Sequence, residues 1–418
     1  MTALTAEHEA LLEDLSEGLL RYESTDGEEG TANRWLQDRL AELGFRTVSW
    51  DPDPNVLREH PSFPPVDELD LDDRPSVAGI LEFGDPRQGH TLVLNGHVDV
   101  GPVEREHWST DPFDPSWAGD RLHARGAVDM KSQVAACIVG ALTASESATD
   151  LDGRIVVESV AGEERGGFGA VTAAASNPYE FERDAAIVAE PTDERLVTAT
   201  AGAAMVRLTI DGRSAHGARR WQGVDVLDHF EDLRAAIRDL ESERAEQVTH
   251  PGYERFDLRW PTVIGRVEAG NWASNVPARL EADARLGVAP GETVAEVVED
   301  YRDRLATAVQ PSDWLREHPP SLQLVDVQFE PAEVSAEEPI VGCVQEAMTI
   351  AGLTETTPVG ETYGADSRHY VDAGIPTVLF GPGRIEDAHF PNESIQWPAV
   401  ERAVVVYAEA IKRFLGGT

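Results

Sequence analysis

The sequence predicts an α/β fold made of two domains, one inserted into the other. Short apolar strands alternate with helices in the first half of the chain and again near its end. Between these parts the order changes to strand, helix, strand, strand, helix, strand, which is the βαββαβ order of a ferredoxin-like unit. A chain of 418 residues is also too long for one ordinary core. We predict a first domain over residues 1–198 and 330–418 and an inserted domain over residues 199–329.

The elements of the first domain follow from hydrophobic periodicity and turn residues. The predicted strands cover residues 77–83, 91–94, 154–160, 185–189 and 377–380. The predicted helices cover residues 4–22, 30–43, 130–144, 337–351 and 398–415. Residues 51–75 are rich in Pro and Asp and predict an extended surface excursion. Because polar residues follow the strand ends, we expect a ligand site at that edge of the sheet.

The inserted domain is predicted from the same signals. Its strands are expected at residues 200–211, 262–267, 279–288 and 322–329, and its helices at residues 221–246 and 292–309. Neither a repeat nor a low-complexity tract interrupts this order in the sequence.

The charge of the chain is unusual. It has 76 acidic and 35 basic residues, a net charge of −41, and Lys131 and Lys412 are its only lysines. Nucleic acids and anionic membranes would be repelled by such a surface. Self-repulsion of this size largely disappears at roughly 1 M salt, where the screening length is about 3 Å. We interpret the acidity as adaptation to molar salt; an acidic face for a basic partner is the weaker alternative, because the charge is spread along the whole chain.

This interpretation predicts that the unfolding temperature rises with KCl concentration into the molar range. Screening reduces the repulsion between carboxylates of the folded chain. Differential scanning fluorimetry across a KCl series measures the effect, and a flat or falling curve would refute the interpretation.

Two further features bear on the cellular setting. The N-terminal residues have neither a basic region nor an apolar core, and no apolar run is long enough to span a bilayer, so a cytoplasmic location is expected. Cys137 and Cys343 lie in small apolar helical patterns, which predicts two reduced, buried thiols; a disulfide is the alternative.

The stretch 91–100 carries the first chemical signal. Its β-prone residues end at Gly96, and His97 and Asp99 follow two positions apart, on the same side of an extended backbone. A neutral imidazole binds a metal through one ring nitrogen, and a carboxylate that holds the other N–H raises its basicity. Alone, such a pair is more often structural, so further ligands have to support it.

Further ligand types follow strand ends or lie in loops. The candidate metal ligands are His97, Asp129, Glu164, Glu190 and His389. Two imidazoles with three carboxylates suit zinc or another borderline divalent ion. Two neighbouring ions need a bridging carboxylate, for which Asp129 is the natural candidate. Each residue also has an ordinary structural interpretation, such as a helix N-cap for Asp129, but together these interpretations are much less probable than a site.

Glu163 and Glu164 are adjacent, so their side chains diverge. One of them can bind a metal while the other faces the substrate as a general base.

These motifs resemble the dizinc aminoacylase/carboxypeptidase (M20) family, which includes acetylornithine deacetylase, succinyl-diaminopimelate desuccinylase and glutamate carboxypeptidases. The matching segments, in family order, are 96–100, 125–131, 162–164, 190–192, 214–217, 275–277, 380–383 and His389. The resemblance covers most of the chain. It implies a dizinc exopeptidase-like catalytic domain, with the inserted ferredoxin-like domain as the dimerisation domain.

The resemblance also implies the roles of the site residues. Two divalent ions, zinc with cobalt or manganese as alternatives, would be held by His97, Asp129 and Glu190 and by Asp129, Glu164 and His389. Glu163 would be the general base, and Asp99 would orient His97. His216 in the inserted domain would reach the active site of the partner protomer and stabilise the oxyanion.

The same resemblance implies substrate contacts and an activity. Asn275 and Arg285 would bind the substrate carboxylate or backbone, and the backbone at Gly381 and Gly383 would line the pocket. Ser132 departs from the glycine that many relatives have there, and the polar residues of segment 360–368 leave specificity open.

The expected protein is a homodimeric metallohydrolase that cleaves the amide bond of an N-acyl amino acid, in the acetylornithine deacetylase and succinyl-diaminopimelate desuccinylase branch. A dipeptidase or carboxypeptidase is the alternative, and a non-catalytic metal-binding homologue comes after it. A serine hydrolase is disfavoured because the chain has no Gly-x-Ser-x-Gly motif.

Overall fold

The computed structural model describes residues 4–25, 27–147 and 151–416. The first part of the chain builds most of a large mixed sheet and the helices that cover it. The strands of this part of the chain are β1 (Arg46–Trp50), β2 (Ser76–Phe83), β3 (His90–His97), β4 (Ser116–Ala118), β5 (Arg121–His123), β6 (Gly153–Val160), β7 (Ala185–Val188) and β8 (Val197–Thr200). Its helices are α1 (Ala6–Leu20), α2 (Glu29–Glu42), α3 (Pro54–Glu59), α4 (Lys131–Ser147) and α5 (Phe168–Ala175).

The middle of the chain forms a second sheet. Its strands are β9 (Gly202–Asp211), β10 (Val263–Ala269), β11 (Arg279–Val288) and β12 (Ser321–Leu324), and its helices are α6 (Val226–Gln247), α7 (Val294–Ala308) and α8 (Asp313–Glu317). The strands pair antiparallel in the order β10-β11-β9-β12. Alternate residues of β9 and β11 face α6 and α7 and form a separate core, so this unit has the βαββαβ order expected from the sequence.

The chain then returns to the first sheet. The remaining strands are β13 (Ala332–Glu333), β14 (Val359–Glu361), β15 (Thr377–Leu379) and β16 (Ser394–Gln396), and the remaining helices are α9 (Pro339–Ile350), α10 (Ser367–Asp372) and α11 (Trp397–Gly416). The large sheet has the order β1-β2-β6-β3-β7-β15-β8-β13, with β14 paired to β8, and β16, β5 and β4 form a separate three-stranded sheet in that order. Its centre, β6-β3-β7-β15, is parallel.

The main core lies on one face of the large sheet, where α1, α4, α9 and α11 pack. Gly140 allows α4 to approach α11 closely, because a Cβ atom there would lie 2.8 Å from the Cβ of Tyr407. The opposite face is covered by α5 and α10 around Val93 and Tyr370. The α/β class predicted from the sequence is confirmed.

Several element boundaries differ from the prediction for identifiable reasons. The strand expected at 200–211 is split at Ala201, whose N–H donates to the Glu361 carbonyl, so β8 joins the large sheet and β9 the small one. The strand expected at 322–329 ends at Leu324, since Asp326 has a φ of 58° and the Gln328 side chain bonds the backbone of Met205 instead.

Helix α6 begins at Val226 and not at residue 221, because the Asp225 side chain accepts from the N–H of Leu227 as an N-cap. The predicted excursion at 51–75 contains α3, whose N-cap is Asp53. Both cysteines are free and buried, as expected. Among the described helices, none is long and apolar enough to cross a membrane.

Candidate active site

The candidate ligands meet at one edge of the large sheet. His97 ends β3, Glu163 and Glu164 follow β6, and Glu190 follows β7. These strands are parallel neighbours, so their carboxyl ends lie side by side. Asp129 lies two residues before the first residue of helix α4, which packs against β3. The sheet topology therefore brings together residues that are up to 93 positions apart in the chain.

Asp129 lies between the two imidazoles. Its Oδ1 is 3.1 Å from His97 Nε2, and its Oδ2 is 3.4 Å from His389 Nε2. The two oxygens of one carboxylate thus face two different metal-type ligands, which is the arrangement of a bridging carboxylate.

Two clusters of potential ligands flank Asp129. In each cluster the donor atoms lie within 4.8 Å of one another; one contains His97, Glu163 and Glu190, and the other contains Asp129, Glu164 and His389. The second set is the one implied by the family resemblance. In the first set Glu163 takes the place expected for Asp129, and its Oε2 is 4.0 Å from His97 Nε2.

Glu164 is held more tightly than Glu163. Its Oε1 is 2.8 Å from His389 Nε2 and accepts from the Gly101 N–H at 2.9 Å. His389 has a φ of 58°, a left-handed conformation that is uncommon for a non-glycine residue and is often found at functional sites.

Asp99 contacts His97 and also the turn that carries the glutamates. His97 Nδ1 lies 2.9 Å from the backbone carbonyl of Asp99 and 3.5 Å from its Oδ1. The other carboxylate oxygen accepts from the Glu164 N–H at 3.0 Å, a contact that the sequence did not suggest. Asp99 therefore positions residues from both sides of the site.

The carboxylates of the site are buried close together, and this raises the pKa of two of them. Burial and the charges of Glu190 and Asp366 hold the pKa of Glu163 well above its usual value. Burial and the charge of Asp129 raise the pKa of Glu190 to about 8. The charge of His97 acts in the opposite direction on both carboxylates but does not outweigh these effects.

The histidines show the opposite effect. Hydrogen bonds to Asp129 and Glu164 raise the pKa of His389 to about 10, although burial opposes this shift. Burial disfavours the charged form of His97, yet its hydrogen bonds to Asp129 and Asp99 hold its pKa well above the usual value. In both places the surrounding carboxylates stabilise positive charge.

This donor set fits a pair of divalent cations. It offers imidazole nitrogens and carboxylate oxygens within one small volume, the mixture that zinc and similar borderline ions accept. Positive charge bound there would relieve the repulsion that raises the pKa values of Glu163 and Glu190.

Glu393 is a site residue that the sequence did not reveal. Its Oε1 accepts from the N–H groups of Val128 and Asp129 at 2.7 and 3.3 Å, and its Oε2 accepts from Arg125 Nη1 at 2.9 Å. This buried carboxylate fixes the backbone on which Asp129 sits. It lies 264 positions further along the chain, so no local pattern could have indicated it.

His216 and Asn275 lie together in the inserted domain, where their backbones form an isolated antiparallel bridge. His216 is exposed, and its Nδ1 accepts from the Ala218 N–H at 3.1 Å. The contacts described for His216 are thus within the inserted domain and do not reach the ligand clusters of the same chain.

Arg285 lies on β11 and donates to the Thr362 carbonyl at 3.0 Å. It lines a cleft of about 1270 Å³ between the open face of the small sheet and residues of the large domain. Tyr363, next to Thr362, donates from its hydroxyl to the Pro191 carbonyl at 3.2 Å, one residue beyond Glu190. Hydrogen bonds made by the neighbouring residues Thr362 and Tyr363 therefore connect Arg285 to the segment that carries Glu190.

Gly381 and Gly383 support the backbone beside Glu190. A Cβ atom at Gly381 would lie 2.4 Å from the Glu190 carbonyl oxygen, so only glycine allows this approach. Gly383 has a φ of 88° and accepts from the Asp193 N–H at 2.7 Å. Both glycines are thus packing positions close to the site.

An α/β sheet with two imidazoles and several carboxylates at the carboxyl ends of its parallel strands defines a metallohydrolase. Residues 93–413 match Peptidase family M20/M25/M40, and the chain belongs to this family. It is an enzyme of the family's metallohydrolase type, which cleaves linear amide bonds.

Two similar curated proteins differ in the compound that they act on. The chain is 27% identical over 437 residues to N-formyl-4-amino-5-aminomethyl-2-methylpyrimidine deformylase of Bacillus subtilis (strain 168), covering 98% of this chain and 95% of the relative. It is 26% identical over 332 residues to acetylornithine deacetylase of Yersinia pestis, covering 78% of this chain and 80% of the relative.

Solved structures share the fold. A tripeptidase from Staphylococcus aureus has a TM-score of 0.73 at 18% identity, with 98% of this chain and 99% of that chain covered. A dinuclear metal binding peptidase of the M20 family from Bacillus subtilis has a TM-score of 0.64 at 16% identity, with 99% of each chain covered.

Proposed function

We propose that this enzyme removes an acyl group from the nitrogen of an N-acyl amino acid or a similar small amide, with two divalent metal ions bound at the ligand clusters. The observation that carries this proposal is Asp129, whose two oxygens face His97 and His389 at 3.1 and 3.4 Å. A carboxylate placed in this way favours a dinuclear centre over a single ion.

In the proposed centre Glu190 completes the set around His97, and Glu164 completes the set around His389. Bound divalent ions would supply Lewis acidity, which polarises the scissile carbonyl and makes water a better nucleophile at neutral pH. Zinc suits the nitrogen and oxygen donors, with cobalt or manganese as alternatives. Asp99 would hold His97 in its orientation and Glu393 would hold Asp129.

Glu163 would perform the proton transfers. It accepts a proton from the attacking water as oxygen adds to the acyl carbon, and it passes this proton to the leaving amine nitrogen as the C–N bond breaks. The products are a carboxylate and a free amine.

His216 of a partner protomer would donate to the oxyanion that forms on the acyl oxygen. This role requires a homodimer through the inserted domain, since His216 is exposed in one chain and its described contacts all lie within the inserted domain. Asn275, beside it, and Arg285 would bind the carboxylate of the substrate.

Two substrate classes lead the proposal. The acetylornithine deacetylases support an N-acyl amino acid, including the acetylornithine and succinyl-diaminopimelate type. The deformylase, which is similar over 98% of this chain, supports an N-formyl amide of an aminomethylpyrimidine as the second candidate. A dipeptidase or carboxypeptidase is the third, in line with the tripeptidase of similar fold.

A substrate panel tests these candidates. N-acetylornithine, N-succinyl-diaminopimelate, the N-formyl aminomethylpyrimidine and several dipeptides are incubated with the enzyme in molar KCl with zinc or cobalt. We expect release of acetate, succinate or formate that stops when a chelator removes the metal and returns when the metal is restored.

The outcomes of the panel separate the candidates. Turnover of dipeptides alone would move the enzyme to the peptidase side, and formate release alone would select the deformylase type. Chelator-resistant hydrolysis would contradict the metal-dependent mechanism. Metal binding without turnover of any amide would contradict the proposed activity.

A further inference from the structure

The turn that carries Glu163 and Glu164 is rich in glycine. Gly162, Gly166 and Gly167 have φ values of 72°, 102° and 83°, all in the left-handed region. Glycine reaches this region easily but also leaves it easily, because it has the largest conformational freedom of any residue. A turn built in this way holds its side chains in place only if other parts of the structure hold its backbone.

Two side chains from α10 hold this backbone at one atom. The Gly166 carbonyl oxygen accepts from Arg368 Nη2 at 2.7 Å and from His369 Nε2 at 3.0 Å. Both side chains are buried, and together the two bonds use both lone pairs of the oxygen. We call this arrangement the Gly166 clamp.

The donors of the Gly166 clamp are themselves fixed. Arg368 Nη1 donates to the Ala365 carbonyl at 2.9 Å, and the His369 ring stacks against Phe63 with a centroid distance of 6.4 Å. Burial and the charge of Arg368 hold the pKa of His369 well below its usual value, which favours the neutral ring. Since the Gly166 oxygen can only accept, the 3.0 Å contact requires the tautomer that carries its proton on Nε2.

Asp366 completes the clamp. It is fully buried, and no described residue donates a hydrogen bond to either of its carboxylate oxygens. A Cβ atom at Gly167 would lie 2.1 Å from Asp366 Oδ1, so the carboxylate packs directly against the turn. Its negative charge offsets the buried guanidinium of Arg368, which would otherwise be costly to bury.

The clamp also contacts the connection to the inserted domain. The Arg368 guanidinium lies 4.3 Å from the centroid of the Phe329 ring, and Phe329 pairs with Ala203 through backbone bonds of 2.7 and 2.9 Å. A Cβ atom at Gly166 would lie 2.4 Å from Val327 Cγ1. The Glu163 turn is therefore packed between α10 and the segment that returns from the small sheet.

We propose that Arg368 and His369 are positioning residues of the reaction, which keep Glu163 in its working position by holding the Gly166 carbonyl. The inference rests on the proposed function in one respect, the role of Glu163 as general base. It gives a role to segment 360–368, whose polar residues the sequence left without one.

A matched pair of substitutions at His369 tests this role. His369→Phe keeps an aromatic ring beside Phe63 but removes the N–H donor, whereas His369→Gln keeps a donor at a similar distance. We expect His369→Phe to lower kcat by about 10²-fold, as expected for a catalytic group displaced by about 1 Å, with KM changed by less than about threefold. His369→Gln should retain most of kcat.

A second readout uses the metal-free protein and requires no turnover. Hydrogen–deuterium exchange of the segment 162–170 should be faster in His369→Phe than in the wild type and in His369→Gln. The control is Arg244→Met in the inserted domain, which removes another buried guanidinium that donates to a glycine carbonyl, Gly287. It should lower the unfolding temperature without changing kcat or exchange at 162–170.

Several outcomes would overturn the proposal. One is that His369→Phe changes neither kcat nor hydrogen–deuterium exchange at 162–170. Another is that His369→Phe and His369→Gln lose the same amount of activity, in proportion to the decrease in their unfolding temperatures. If His369→Phe does not fold, Arg368→Lys provides the same test, since it keeps the charge but can reach only one of the two carbonyls. Glu163→Gln is measured in parallel: if that variant stays active, the proposed function fails, whereas an inactive Glu163→Gln with a fully active His369→Phe refutes the clamp alone.

Discussion

A Glu163→Gln variant is expected to lose about 10³-fold or more in kcat while it still binds two divalent ions per chain. Glutamine has the size of glutamate but cannot take a proton from water at neutral pH, and general acid–base catalysis commonly contributes about 10²–10⁴-fold. Turnover of the best substrate of the panel, together with metal content by inductively coupled plasma spectrometry, measures both quantities.

The adjacent glutamate provides the matched control. Glu164 Oε1 lies 2.8 Å from His389 Nε2 and accepts from Gly101, so Glu164→Gln should lower metal occupancy as well as activity. The structure also places Glu163 in a cluster with His97 and Glu190. If Glu163→Gln lost metal together with activity, Glu163 would have to be reassigned as a ligand, and the base would have to be sought elsewhere.

The sequence predicted the sheet-forming segments of the large domain well because they are apolar and β-branched and end in turn residues. Strand β3 is an example. The apolar residues after Thr91 predict a buried strand, and His97 lies at the end of that strand. Short strands such as β4 and β16 were not predicted. They have three residues each, too few for a period to show, and they exist only because β5 pairs with both of them.

The candidate ligands could be predicted for a similar reason. All except His389, which lies in a loop, come near a strand end or just before a helix, so their convergence depends mainly on sheet order. The residues that support the ligands could not be predicted this way. Glu393 and the Gly166 clamp act on backbone atoms far away in the chain, and a carboxylate or guanidinium that bonds a distant backbone leaves no period, spacing or turn signal in the sequence.

The proposed role of His216 requires a second protomer. Within one chain this histidine is exposed and its described contacts stay within the inserted domain, so the proposed place in the reaction depends on a second protomer. Mixing two inactive variants, Glu163→Gln and His216→Ala, tests that dependence directly. In a symmetric dimer whose sites borrow His216 from the partner, each heterodimer contains one intact site, formed by Glu163 of the His216→Ala chain and His216 of the Glu163→Gln chain.

The expected recovery follows from this geometry. Random exchange of equal amounts gives half heterodimers, each with one of its two sites intact, so about a quarter of the wild-type activity should return. If His216 acted within its own chain, no heterodimer would hold an intact site and nothing would return. Mixing Glu163→Gln with Glu164→Gln is the control, because both changes affect the same chain's site and no intact site can form. Differently tagged subunits establish that exchange has occurred, and inactive purified heterodimers would rule out a role for His216 across the dimer.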